Sequence, residues 1–281
     1  TASTDAITIT VNDADAASVT AANLSTLGGK TSGTVTVTNA VAISGNTSEV
    51  TAALVTSGSL VEVSDATVTI NDADATALNA TDLSAIGAKT TGTVTVTNAV
   101  AISGNTAQTT AALVTSGSLV EVSDATVTLN DADGTALNAL DLSAIGAKTT
   151  GSVTVTNAVA ISGNTSESTA ALVTSGSLVE VSDATVTIND EDATALNATD
   201  LSAIGAKTTG SVTVTNAVAI SGNTSEVTAA LVTSGSLVEV SDATVTINDA
   251  DATALNATDL SAIGAKTTGT VTVTNAVAIT G

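Results

Sequence analysis

The sequence repeats itself every 59 residues, and this period constrains the fold more than any local preference does. The segment Asn-Asp-Ala-Asp begins at Asn12, Asn71, Asn130 and Asn248, with Asn-Asp-Glu-Asp at Asn189. Residues 65–123 and 183–241 are identical at 54 of 59 positions, so each copy is expected to meet the same surroundings. A unit this short cannot bury its apolar face alone, and stacking on its neighbours supplies the missing core. The expected organisation is one continuous solenoid over residues 1–281, with repeats at 1–64, 65–123, 124–182, 183–241 and an incomplete 242–281.

A weaker repeat lies inside the 59 residues. Val94-Thr-Val-Thr-Asn98-Ala and Val61-Glu-Val-Ser-Asp65-Ala share the pattern V-x-V-[ST]-[ND]-A, which divides each unit into arms of about 25 and 34 residues. Alternation through residues 93–102 places Val94, Val96, Val100 and Ile102 on one side and Thr95, Thr97 and Ala101 on the other, the period of a half-buried strand. Ala66 and Ala99 are expected at bends with little space. Gly104-Asn105 or Asn71-Asp72-Ala73-Asp74 then breaks the strand and offers a helix cap. Short helical stretches follow: Asn46–Val55, closed at Ser57-Gly58, and Thr81–Ile86, closed at Gly87. Such helices need a packing neighbour. The expected fold class is therefore a β-rich solenoid, with parallel strands stacked in rungs and short helices on one side. Two rungs per unit would advance the stack by roughly 10 Å. An all-β solenoid without helices is the main alternative; an array of β-sandwiches is the second, and the period is short for it.

Asn98 and Asp65 share the parity of the inward valines, so both are expected to point inward, where a buried polar group needs partners. Stacked in register, Asn39, Asp65, Asn98, Asp124, Asn157, Asp183, Asn216, Asp242 and Asn275 would form an alternating ladder, each amide donating to the carboxylates above and below. The pattern V-x-V-x-N-x-V-x-I resembles the asparagine-ladder motif of leucine-rich repeat proteins, with the spacing changed by a residue. That likeness implies architecture alone.

Composition narrows the chemistry. The chain contains no Cys, Met, His, Pro, Arg, Phe, Trp or Tyr, which removes thiol nucleophiles, histidine bases, soft metal ligands and the Ser-His-Asp arrangement. Five equal copies offer no unique pocket, and no enzyme is expected. A formal charge of −22 repels nucleic acid and anionic bilayers, and no aromatic or arginine platform exists for stacking bases. No apolar run is long enough to cross a membrane, so direct insertion is not expected.

The densest carboxylate cluster is the Asn-Asp-x-Asp segment. Asp13, Asp15, Asp72, Asp74, Asp131, Asp133, Asp190, Asp192, Asp249 and Asp251 are the candidates for calcium, the only cofactor the composition suggests. The segment lacks the glycine and distal glutamate of an EF-hand, so helix-capping loops are the competing expectation. Lys30, Lys89, Lys148, Lys207 and Lys266 fall just beyond an expected helix end, where a cation complements the helix dipole. Thr67, Thr69, Thr95 and Thr97 form T-x-T arrays like those of ice-binding proteins, interrupted by Glu62 and Ser64 in alternate arms.

The long near-identical repeats, the acidic charge and wording such as Asp82-Leu-Ser-Ala-Ile86 followed by Thr-Thr-Gly-Thr-Val-Thr-Val resemble giant tandem-repeat surface proteins and adhesins of aquatic bacteria. The resemblance spans all 281 residues. It implies an extracellular or cell-surface filament, sheath or stalk, whose partners are copies of itself. An adhesin spacer stiffened by calcium and an ice-binding solenoid are the alternatives. A start at Thr1 without Met and a stop at Gly281 within a repeat suggest a piece of a longer polypeptide.

Overall fold

The computed structural model describes residues 5–56, 58, 60–115, 117, 120–174, 176, 179–233, 235 and 238–281. Two compact units divide the chain: Thr1–Asn130 with Ala144–Val153, and Asp131–Ser143 with Thr154–Gly281. Each is a solenoid of short parallel strands in stacked sheets, with eight-residue helices between strands.

In the first unit one sheet joins Ile9–Val11, Val35–Val37 and Val61–Glu62. A second runs through Ser18–Thr20, Ala42–Gly45, Thr67–Ile70, Val94–Val96 and Val120–Glu121, and a third contains Ala77–Asn79, Ala101–Gly104 and Thr126–Leu129. Partners in the second sheet, Val19, Ile43, Val68, Val94 and Val120, lie in strict register, so one turn of the coil takes about 25 residues. The last four of these side chains are at most 1% exposed. Such a ladder of β-branched and aliphatic groups contributes about 1.5–3 kcal/mol per fully buried side chain. The second unit repeats the arrangement through Leu137, Ile161, Val186, Val212 and Val238.

Every turn has three sides. The turn that begins at Val35 contributes a strand to the first sheet, a strand to the second, and the helix Thr47–Leu54; the next begins at Val61 and contributes a strand to each of the three sheets. The turn after that opens with the helix Ala80–Gly87 on the first side and continues with Val94–Val96 and Ala101–Gly104 on the other two. Seven elements per 59-residue repeat on a three-sided coil make 2⅓ turns, not the two expected from the arms. One repeat therefore advances the stack by about 11 Å at the usual strand spacing. Helices come in pairs, Ala21–Gly28 on Thr47–Leu54 and Ala80–Gly87 on Thr106–Leu113, each pair on one side of the coil.

Local chemistry explains these breaks. Asn46 caps Thr47–Leu54 through Glu49 N, and Glu49 returns a bond to Asn46 N, a capping box repeated at Asn105, Asn164 and Asn223. The expected glycine closure is not used. Val55 ends the helix in right-handed geometry with Val55 N and Thr56 N both donating to Thr51 O, and Ser57 lies outside the described residues. Gly87 is the last helical residue, with Ala88 as a right-handed C-cap. The strand expected over 93–102 is two strands on two sides, Val94–Val96 and Ala101–Gly104, hinged at Asn98. Val94, Val96, Val100 and Ile102 are nevertheless all buried, because the bend wraps around the core.

Close approach at one corner fixes the spacing of turns. Thr90 Oγ1 donates to Ala66 O at 2.5 Å and accepts from Gly92 N at 3.0 Å. Thr91 N and Oγ1 both reach Ser64 O, at 2.8 and 3.0 Å. A Cβ on Gly92 would lie 2.7 Å from both the Ala66 carbonyl carbon and Asp65 O, so the glycine is what lets this corner seat on the one before it. Gly151, Gly210 and Gly269 make the same approach.

Candidate functional site

The Asn-Asp-x-Asp loops are where the polar groups of neighbouring turns meet. Asp72 Oδ2 accepts from Thr47 N and from Thr47 Oγ1, each at 2.7 Å, so it caps a helix of the preceding turn. Its charge also favours that position beside the helix N-terminus. The backbone carbonyl of the same Asp72 accepts from Asn98 Nδ2 at 2.6 Å in the following turn. Asp74 Oδ1 accepts from Ala99 N at 3.1 Å, and Ala75 N donates to Ala99 O at 2.8 Å. One loop thus rivets three successive turns.

The rivet recurs. In the second unit Thr165, Asp190 and Asn216 form one, and Thr224, Asp249 and Asn275 another, with the same bonds at 2.6–2.8 Å. Asn39 and Asn157 donate to Asp13 O and Asp131 O, each at 2.6 Å. Asp15, Asp133, Asp192 and Asp251 accept from the backbone N–H groups of Ala40, Ala158, Ala217 and Ala276. Asp72, Asp190 and Asp249 thus cap a helix, but one that belongs to another turn, about 25 residues away, whereas Asp15, Asp74, Asp133, Asp192 and Asp251 hold the backbone at a strand bend.

Of the calcium candidates, Asp72, Asp190 and Asp249 accept from a threonine N–H and hydroxyl, and Asp15, Asp74, Asp133, Asp192 and Asp251 each accept from a backbone N–H through Oδ1. Among the described residues no group of three or more acidic side chains converges as a metal site. The alternating ladder is also differently built. Asn39, Asn98, Asn157, Asn216 and Asn275 bond to loop carbonyls, whereas Asp65, Asp124, Asp183 and Asp242 are exposed and accept from the preceding serine hydroxyl at 3.0 Å. The reason is the hinge: once the chain turns a corner, strand parity no longer decides which way the residue at the bend points.

Lys30, Lys89, Lys148, Lys207 and Lys266 each follow a helix end, their backbone N–H groups closing onto the carbonyl three residues back at 3.0–3.1 Å. The threonine rows are broken differently from expectation. On the second sheet of the first unit the outward row reads Thr20, Ser44, Thr69, Thr95 and Glu121, so the glutamate falls on the outermost strand rather than on every other one. Of the threonines in these two arrays, Thr69 and Thr95 are direct partners across neighbouring strands.

A polar groove of about 420 Å³ opens between the helix Thr165–Leu172 and the strand Ala195–Asn197. Thr165, Asp190, Thr194, Asn197 and Asp200 line it. Sequence reasoning did not reveal this groove, because its two walls are brought together only by stacking. Among the described residues no helix is long and apolar enough to cross a membrane. No protein-family model, curated protein or solved structure matches the chain.

Proposed function

We propose that this chain is a structural repeat protein of the cell exterior that builds a filament, sheath or surface stalk through association with further copies of itself. The reading rests chiefly on the rivet. The chain's most distinctive polar groups are used to join one turn to the next, in copy after copy. A protein built this way lengthens by adding copies without changing any local contact. Its charge of −22 keeps long arrays soluble.

Negative-stain electron microscopy of the native protein, with and without a calcium chelator, tests the proposal. Uniform fibres or sheets that survive chelation are the expected result. Rods that soften only when calcium is removed would transfer the weight to a calcium-stiffened adhesin spacer. Particles that never associate at any concentration would overturn the filament reading.

A further inference from the structure

Four copies of one exposed asparagine sit at the entry to the helix that follows the Asn-Asp-x-Asp loop: Asn79, Asn138, Asn197 and Asn256. Three of them are followed two residues later by a hydroxyl, as Asn79-Ala80-Thr81, Asn197-Ala198-Thr199 and Asn256-Ala257-Thr258; the fourth reads Asn138-Ala139-Leu140. This is the acceptor pattern for N-linked sugar. In a chain so rich in Ser and Thr the pattern alone carries little, and the structure has to discriminate.

It sets aside Asn23-Leu24-Ser25, which carries the pattern inside the helix Ala21–Gly28, and separates the copies at helix entries into two classes. Asn46, Asn164 and Asn223 also have a hydroxyl two residues on, but they are half-buried, and their side-chain oxygen accepts from the backbone N–H of Glu49, Glu167 or Glu226, three residues on. Asn79 is exposed, and its Oδ1 accepts both Thr81 N at 3.1 Å and Thr81 Oγ1 at 2.8 Å. Asn256 does the same with Thr258 at 3.0 and 2.8 Å. The carbonyl oxygen, rather than the amide nitrogen, is thus the atom engaged by the motif's own hydroxyl. At Asn197 the amide instead makes a 3.3 Å bond to Asp200, at the mouth of the 420 Å³ groove. Hydroxyls and carboxylates along that groove are the partners a sugar ring would take.

We propose that Asn79, Asn197 and Asn256 are acceptors for an N-linked sugar, whose first ring at Asn197 lies in this groove. The inference builds on the proposed cell-exterior role. Chemically, the Asn Nδ2 attacks the anomeric carbon of a glycosyl diphosphate donor held by a glycosyltransferase. The new C–N bond replaces the C–O bond to the diphosphate, which leaves with its electron pair, and one Nδ2 proton passes to a base of the transferase.

The five lysines make the test clean, because cleavage after lysine yields 31–89, 90–148, 149–207 and 208–266, each holding one of the four asparagines. Peptide mass spectrometry with electron-transfer fragmentation, on protein isolated from its native source, should place a sugar on Asn79, Asn197 and Asn256 and none on Asn138, Asn46, Asn164 or Asn223. A single hexose would indicate a nucleotide-linked donor, and a preassembled oligosaccharide a lipid-linked one. Leu140→Thr expressed in the same source should add a sugar at Asn138, and Thr81→Ala should remove the one at Asn79. Unmodified peptides at all three acceptors, or equal modification of Asn46, would overturn the proposal. Protease accessibility on intact cells is read separately: surface exposure with bare asparagines defeats the sugar and leaves the structural role standing, while an interior location defeats the structural role whatever the peptides show.

Discussion

Replacing Gly92 by alanine should uncouple two neighbouring turns without disturbing the interior of either. The backbone at Gly92 does not lie in the left-handed region, so an alanine is conformationally acceptable there and any cost is steric. Its methyl would sit 2.7 Å from the Ala66 carbonyl carbon and from Asp65 O, both backbone atoms that cannot rotate away. Relief requires the corner to lift. That breaks the bond from Thr90 Oγ1 to Ala66 O and the bond from Thr91 N to Ser64 O. Two lost bonds at about 1 kcal/mol each, with about 1–3 kcal/mol for overpacking, give a local loss of about 3–5 kcal/mol. Gly29→Ala is the control. Its nearest neighbour would be Ser25 O at 3.5 Å, an ordinary contact, and the next repeat already carries Ala88 at the equivalent place. Urea denaturation followed by circular dichroism, together with amide hydrogen exchange at Thr91 and Val68, measures the difference. The expectation is early exchange at these amides in Gly92→Ala and a change within about 0.5 kcal/mol for Gly29→Ala. If the two variants behave alike, the corner does not set the spacing of turns and the reasoning fails.

Other perturbations probe other parts of the stack. Thr109 and Ser168 are fully buried with unpaired hydroxyls, at a position where two other repeats hold buried Val50 and Val227. Thr109→Val and Ser168→Val should each stabilise by about 1–2 kcal/mol through removal of the unsatisfied group, read as an increase in the urea midpoint. Ala75 and Ala193 adopt φ of 59° and 62°, while the third repeat places Gly134 at 72°. Gly134→Ala should therefore cost about 1 kcal/mol and Ala75→Gly should gain a fraction of that, measured by thermal unfolding. Asp72→Ala removes the cross-turn cap on Thr47 and should cost about 1–2 kcal/mol, with the exchange of the Thr47–Leu54 amides rising first. Finally, the hydroxyl rows end at a glutamate within each five-stranded sheet described, so thermal hysteresis at millimolar protein should be negligible; clear hysteresis would revive the ice-binding alternative.

The sequence by itself determined which side chains are inward in the strands, since the alternation of Val94, Val96, Val100 and Ile102 with polar residues survives folding intact. It also announced the helix start at Asn46, because the capping box is formed by residues three apart and needs no tertiary partner. Parallel strands with short helices followed from these two signals. The pitch did not. A 59-residue period states that copies are equivalent under some screw operation; it does not state how many turns that operation contains. The closing distance at the three corners decides this, and it depends on contacts such as Gly92 against Ala66 between residues 26 apart. The same applies to partners. Asp72 was legible as a capping residue, but which helix it caps, and that Asn98 would seek its carbonyl rather than a stacked aspartate, are set by the register of neighbouring turns. Local chemistry writes the elements of this chain, and only the stacking of one turn on the next determines which of them touch.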